Sequence, residues 1–303
     1  MIRKPNTRGF TLVELLVVVA IIALLVGLLL PALAKAMASA KTVKDSNQIK
    51  NIHTAMIAKA NETKGGKMPT PGLINRVGAD PGSGVEDYAQ NKTQNLYSAC
   101  VAQNMFNTDI LIGPTEVNPQ VVEYKAYNYD LYRPANDTYW DTGFNAKVDG
   151  TAGSTNYSNT SYSHLMLVGF RKDNQWRNTL DSTKPHLCTR GVKNGVTTGP
   201  DYENSPTLRL HGAPKSWEGN CCFADTHMEF IESFKPENVT WECDSLNLQK
   251  DNIFAAEFTQ GTCVPKNAGG APQIFAGGDT WIGIHPNATT QYVTVPVYDS
   301  VAQ

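Results

Sequence analysis

Sixteen consecutive apolar residues, Leu15 to Leu30 with Gly27 counted among them, constrain this 303-residue chain more than any other feature. Pro31-Ala32-Leu33-Ala34 lengthens the run to twenty before Lys35 restores charge. At ~1.5 Å rise per residue such a helix is about 30 Å long, the thickness of a bilayer's hydrocarbon core. The leader before it, MIRKPNTR, carries Arg3, Lys4 and Arg8. Basic flanks stay on the cytoplasmic side, which predicts a single membrane-spanning segment over 12–34 with everything after Lys35 outside the cytoplasm.

Three readings of this stretch compete. A secretory signal peptide fits the basic start, the apolar middle and the small residues around Ala32-Leu33-Ala34, with a cut after Ala34. A plain anchor fits the hydropathy. The third is a leader cut between Gly9 and Phe10, with the apolar run retained. Glu14 favours the third. A carboxylate inside an apolar helix costs ~3 kcal/mol on insertion scales and is rarely idle. Cutting after Gly9 creates an α-amino group on Phe10 beside the run, and in an array of copies Glu14 of one neutralises the amine of another.

The residues Gly9-Phe10-Thr11-Leu12-Val13-Glu14-Leu15 resemble the cleavage and methylation signature of type IV pilins and type II secretion pseudopilins. The resemblance implies that a prepilin peptidase/methyltransferase cuts after Gly9 and methylates the Phe10 amine, which keeps its charge. It also implies that Glu14 pairs with that amine during assembly, and that Pro31 marks a depth at which the helix bends or locally melts. The implied partners are other pilin or pseudopilin subunits, their assembly platform and the inner membrane. No cofactor is expected.

About 240 residues remain after the first helix that the sequence predicts, enough for a sizeable core. The net charge of -2 becomes more negative without the leader's three cations. That argues against a nucleic-acid-binding surface. All six cysteines, Cys100, Cys188, Cys221, Cys222, Cys243 and Cys263, fall in the exported part and are candidate disulfide partners, with fifteen possible connectivities. Adjacent Cys221 and Cys222 are expected to take different partners. No C-x-x-C spacing points to zinc or redox chemistry.

Helix-forming residues continue beyond Pro31, and Val43, Ile49, Ile52, Met56 and Ala60 mark one apolar face, with Lys41, Lys44, Asp45, Lys50 and Lys59 elsewhere. This predicts a helix over 10–61, greasy all round at first and amphipathic later. Gly65-Gly66 and Pro69 stop it, and a Gly/Pro-rich loop follows to about Gly84. A short helix is expected around Leu96–Met105, and strands at Val121–Tyr132, His164–Phe170 and Tyr292–Tyr298, the last at an edge because of Pro296. Pro134–Ser163 reads as a long exposed loop. Asp137, Asp141, Asn145 and Asp149 recur in it, at a spacing looser than that of calcium loops. Seven Asn-x-Ser/Thr sites read as a by-product of Asn/Thr-rich composition. His285, before Pro286, reads as a loop residue.

The stretch Asn220-Cys-Cys-Phe-Ala-Asp-Thr-His-Met-Glu reads as a hairpin turning at Asp225-Thr226. It is similar to the C-terminal end of a pilin-like family abundant in planctomycetes, which carries a His, nine residues, then Asp-Gly-His. Here His211, Asp225 and His227 stand in for that motif, with Thr226 in place of the glycine and a longer spacing. Whether these three hold a metal is left open. Cys222 with His227 and Asp225 or Glu229 could in principle form a thiol site, but a structural role is the simpler reading. No Ser-centred elbow, phosphate loop or H-E-x-x-H occurs.

The expectation is therefore an α+β chain: a leader (1–9), a pilin-like helix (10–61) and a mainly antiparallel β domain (65–303). Its role would be structural rather than enzymatic, in the inner membrane and then in a pilus, a pseudopilus or on the cell surface. The alternative is a tethered or secreted protein that binds an extracellular ligand such as a glycan through Asn/Tyr/Trp-rich loops.

Overall fold

The computed structural model describes residues 10–63, 65–74, 85–149, 157–211, 216–243, 246–257, 279–287, 294 and 296–299, and the side chains of 242–247 are outside that description. The first helix, α1 (Leu12–Glu62), runs 51 residues, about 75 Å at the usual rise. It passes through Pro31 without a break. The proline ring crowds the carbonyl four residues back, which belongs to Gly27, and a glycine gives that carbonyl the freedom to tilt away.

The two halves of α1 differ. Residues 10–41 are exposed all round, with Leu12 and Leu28 79% and 70% exposed, a patch far larger than water-facing surfaces sustain. From Asp45 onward Asp45, Ile49, Ile52, His53, Met56 and Ala60 are buried. Two expectations are corrected here. Val43, assigned to the apolar face, is 58% exposed, whereas Asp45, assigned to solvent, is buried: one turn back from Ile49 on the stripe lies residue 45, not 43.

The buried stripe packs on β2 (Pro185–Thr189) and β3 (Gly219–Phe223). With β1 (Tyr162–Leu165), β4 (Met228–Ile231) and β7 (Ile282–Gly283) these form an antiparallel sheet in the order β4-β3-β2-β1-β7. The strands β1, β2 and β3 are buried at every position, so they read as continuous runs such as HLCT and NCCF rather than as alternation. A separate hairpin joins β5 (Thr240–Cys243) to β6 (Leu246–Lys250). The helix α3 (Thr93–Ala102) lies where a short helix is expected, and its Tyr97 hydroxyl donates to the Tyr162 carbonyl. Single turns α2 (Pro71–Ile74) and α4 (Pro200–Glu203) complete the helices. Arg190, at the end of β2, meets Glu116 at 2.6 Å and Asp299 at 3.1 Å, which ties the C-terminal segment to the core.

Several loop and strand expectations change. Val121–Tyr132 is not a strand: Val121 makes one bridge to Ser158, and Tyr129–Leu131 is a 3-10 turn. Its tyrosines are used through their hydroxyls, Tyr127 donating to the Ser98 carbonyl and Tyr124 to Asp141, and such tertiary contacts outweigh β propensity. The strand expected at His164–Phe170 starts earlier, at Tyr162, and ends at Leu165. The described part of Pro134–Ser163 is not an exposed loop, because Tyr139, Trp140, Phe144, Ala146 and Val148 are buried; residues 150–156 lie outside the described residues. Asp141 holds it together, accepting from Tyr124, the Asn128 amide and the Gly143 amide. Of the expected strand at 292–298, positions 292, 293 and 295 lie outside the described residues, and Val297 bridges to Ile284.

Candidate functional site at the helix start and its seat on the sheet

Thr11 and Glu14 form a reciprocal cap at the first turn of α1. The Glu14 amide donates to Thr11 Oγ1 at 3.3 Å, and the Thr11 amide and hydroxyl donate to Glu14 Oε2 at 2.8 and 2.7 Å. Two of the helix's orphan N–H groups are satisfied in this way. Thr11 is a functional residue missed in reading the sequence, although Thr-x-x-Glu before an apolar run is a recognised signal for such a cap. Phe10 is 72% exposed beside it, and Gly9 lies outside the described residues.

The second feature is the seat of the helix. Buried Asp45 accepts hydrogen bonds from the Tyr162 hydroxyl at 2.9 Å, Asn220 Nδ2 at 2.8 Å and His211 Nε2 at 3.1 Å, with Thr189 Oγ1 at 3.5 Å. One carboxylate on α1 thus gathers β1, β3 and the His211 segment, with β2 at its margin. The His211 Nδ1 faces Thr42 Oγ1 at 3.2 Å, and Asn220 Nδ2 also donates to the Thr42 carbonyl at 3.1 Å. Burial, then the adjacent Asp45 carboxylate, pushes the Tyr162 phenol well above its ordinary value, so it stays a donor. The Asp45–His211–Thr42 chain resembles a hydrolytic relay in outline only. The His211 and Asp45 side chains are 0% and 2% exposed, and both are occupied in holding α1 to the sheet.

The three motif residues separate into two places. His211 packs edge-on against Phe230 and serves Asp45. Asp225 and His227 sit at the β3–β4 turn, where the Asp225 carboxylate accepts from the His227 amide and meets its ring, and that ring stacks on Phe223. Thr226 adopts φ 71, the left-handed conformation for which glycine is the easy residue. Among the described residues no group of three or more His, Cys, Asp or Glu side chains could hold a metal ion.

Four histidines line the interior instead. His186 Nε2 donates to the Gln175 carbonyl at 2.8 Å, so its Nδ1 accepts, and His53 Nε2 on α1 donates to it at 3.0 Å. Trp176 packs between this pair and His164, its ring tilted against both His186 and His164. His164 Nδ1 donates to the Leu165 carbonyl and its Nε2 accepts from Thr93. His285, expected in a loop, is fully buried against His164. Burial holds His164 and His186 down to about 4 and His53 to about 2, so all three are neutral.

Cys188 and Cys221 face each other across β2 and β3 and are disulfide-bonded. Cys100 and Cys222, expected to be bonded as well, are buried free thiols. Burial pushes both thiols up, in Cys222 with help from Asp225, which is the opposite of what a nucleophile requires. The side chain of Cys243 and the whole of Cys263 lie outside the described residues.

A family model described as the prokaryotic N-terminal methylation motif matches residues 4–30, which take in Gly9, Phe10, Thr11 and Glu14. No curated protein and no solved structure matches the chain. The N-terminus therefore carries a prepilin-type methylation signature, similar to that of type IV pilin-like precursors, and nothing in these matches extends to His211–Ile231.

Proposed function

We propose that the chain is a structural subunit, cut between Gly9 and Phe10, methylated there, and drawn from the inner membrane into a type IV pilus or a type II secretion pseudopilus. The carrying observation is the fully exposed apolar half of α1 with a carboxylate at its start. An apolar cylinder of this length is stable only in lipid or against other helices. Both local hydrogen bonds to Glu14 fall on Oε2, and neither partner is a cation. The methylated amine of a neighbour's Phe10 supplies the missing charge and makes incorporation favourable in the apolar surroundings of a filament core.

The mass of the mature N-terminal peptide tests the processing. A methylated Phe10 is expected, and a chain beginning at Lys35 would sink the assembly reading. Glu14→Gln tests the pairing, because glutamine preserves the cap and removes the charge. Cleavage and helix content should be unchanged while incorporation falls as far as in Glu14→Ala. Normal incorporation of Glu14→Gln would leave Glu14 with a capping role only. A second reading, capture of an extracellular ligand, draws on a groove of about 430 Å³ lined by Asp149, Lys193, Asp201, Ser205 and Tyr298. Among its described lining residues the cation, Lys193, is already paired with Asp201 at 3.0 Å, so they offer hydroxyl and carboxylate groups suited to a neutral sugar. Isothermal titration against neutral oligosaccharides checks it.

A further inference from the structure

The charges of this chain are sorted along its length. From Leu15 to Asn61, α1 carries Lys35, Lys41, Lys44, Lys50 and Lys59 against the single acid Asp45, whereas residues 63–303 carry 25 acidic and 18 basic side chains. Asp45 is buried and committed to its seat. Among the described residues the charged side chains of this stretch with a partner are Lys59, paired with Glu62, and Asp45, hydrogen-bonded to His211. Lys35, Lys41, Lys44 and Lys50 are exposed and outside these pairings. On the domain, Asp109, Glu123, Asp130, Glu203 and Glu232 are likewise exposed and outside the ion pairs of the described residues.

We infer that the lysines exposed along α1 beyond the membrane segment dock against carboxylates on the globular domains of neighbouring copies of this chain. The inference deepens the assembly reading and rests on it. A lipid surface is the rival occupant, and distance decides against it. The headgroup layer adds only ~5–8 Å on each side of the hydrocarbon. Counted from Ala34, Lys41, Lys44 and Lys50 stand ~10, ~15 and ~24 Å along the helix axis. Lipid phosphates reach Lys35 and, with a stretched side chain, Lys41. They do not reach Lys50. A domain with seven more acids than bases, carried by a neighbouring copy, presents opposite charge at that height. Because charges separated by more than ~8 Å are screened at physiological salt, the docking requires direct contact. Like every head-to-tail interface between identical chains, it extends into a ring or filament rather than closing on a pair.

The test uses the full chain, with isotopically light and heavy copies co-assembled and treated with a zero-length carbodiimide. Light–heavy cross-links should join Lys41, Lys44 or Lys50 to a carboxylate beyond residue 63. Co-assembly with those lysines linked only within one copy, or not at all, overturns the inference and leaves the assembly reading standing. Failure of light and heavy copies to contact each other anywhere overturns both. Lysines shielded from acylation only in vesicles containing anionic lipid would assign them to headgroups and also overturn it. The triple variant K41E/K44E/K50E should incorporate roughly tenfold less than wild type, three exposed pairs at the usual strength of such contacts, with the deficit shrinking as salt rises. Equal incorporation at low salt contradicts the docking, and retained cleavage at Gly9 shows that the variant still reaches the membrane.

Discussion

Asp45→Ala removes the acceptor on which the seat of the helix depends. The Tyr162 hydroxyl, Asn220 Nδ2 and His211 Nε2 then face a gap where one carboxylate accepted from all three. Asn220 keeps the Thr42 carbonyl, and His211 Nε2 keeps only a long approach to Thr189 at 3.4 Å. Hydrogen bonds to a charged buried acceptor are worth ~1.5–3 kcal/mol each, and a stranded buried donor costs ~1–3 kcal/mol. Losses within one network are not additive, so the expected cost is about 3–5 kcal/mol, set against ~5–15 kcal/mol for a whole domain. Denaturant unfolding of the full chain in detergent, followed by the buried Trp176 and Trp217, measures it. Hydrogen exchange should show lost protection concentrated between Asp45 and Ala60. A loss below about 1 kcal/mol, the size of a surface contact, would refute the hub.

Three further outcomes are expected. Acid should destabilise the fold between pH 6.5 and 4: His53, His164 and His186 stay neutral when folded and take protons near 6.5 when unfolded, so the unfolded state binds more protons and stability falls with pH. His285, held well below its ordinary value by burial and then by His164, adds a fourth such site, and Asp251, pushed up to about 7 by burial and Asp279, opposes them, leaving a net uptake of about three protons on unfolding near pH 5; a flat stability profile there would contradict the burial of these imidazoles. Reducing Cys188–Cys221, which spans 33 residues, should cost about 2–4 kcal/mol, read as a shift in denaturation midpoint that a Cys188→Ala/Cys221→Ala variant reproduces. Thr226→Gly should stabilise by about 0.5–1 kcal/mol through relief of the left-handed conformation at φ 71, and a lower midpoint would argue against that turn.

The parts legible in the sequence are those whose cause is local. The apolar run, the Glu14 position and the turn at Asp225-Thr226 are set by neighbours a few residues away, and each is where the pattern predicts. Asp45 could not be read in this way. A carboxylate between lysines on a helix looks solvated, and its burial depends on Tyr162 and Asn220, 117 and 175 residues distant. The tyrosine-rich stretch failed for the same reason: alternation reports a strand, but Ser98 and Asp141 decide where those hydroxyls go. His285 likewise needs His164, brought beside it by the β1–β7 pairing, and Thr93 at the start of α3 before its burial makes sense. The Thr11–Glu14 cap is local as well: Thr-x-x-Glu ahead of an apolar run is enough to read it from the sequence.

The seat at Asp45 and the His53–His186 contact stand eight residues apart, about 12 Å along the helix. They join the same rod to the same sheet at two heights, each through polar atoms with fixed directions. Tension applied to the apolar half therefore cannot slide α1 along its greasy stripe, as it could a helix held by apolar packing alone. It loads the two points in shear and passes into β2 and β3, the pair of strands that the Cys188–Cys221 bond already locks together. The covalent link thus joins the two strands, β2 and β3, that such a load reaches.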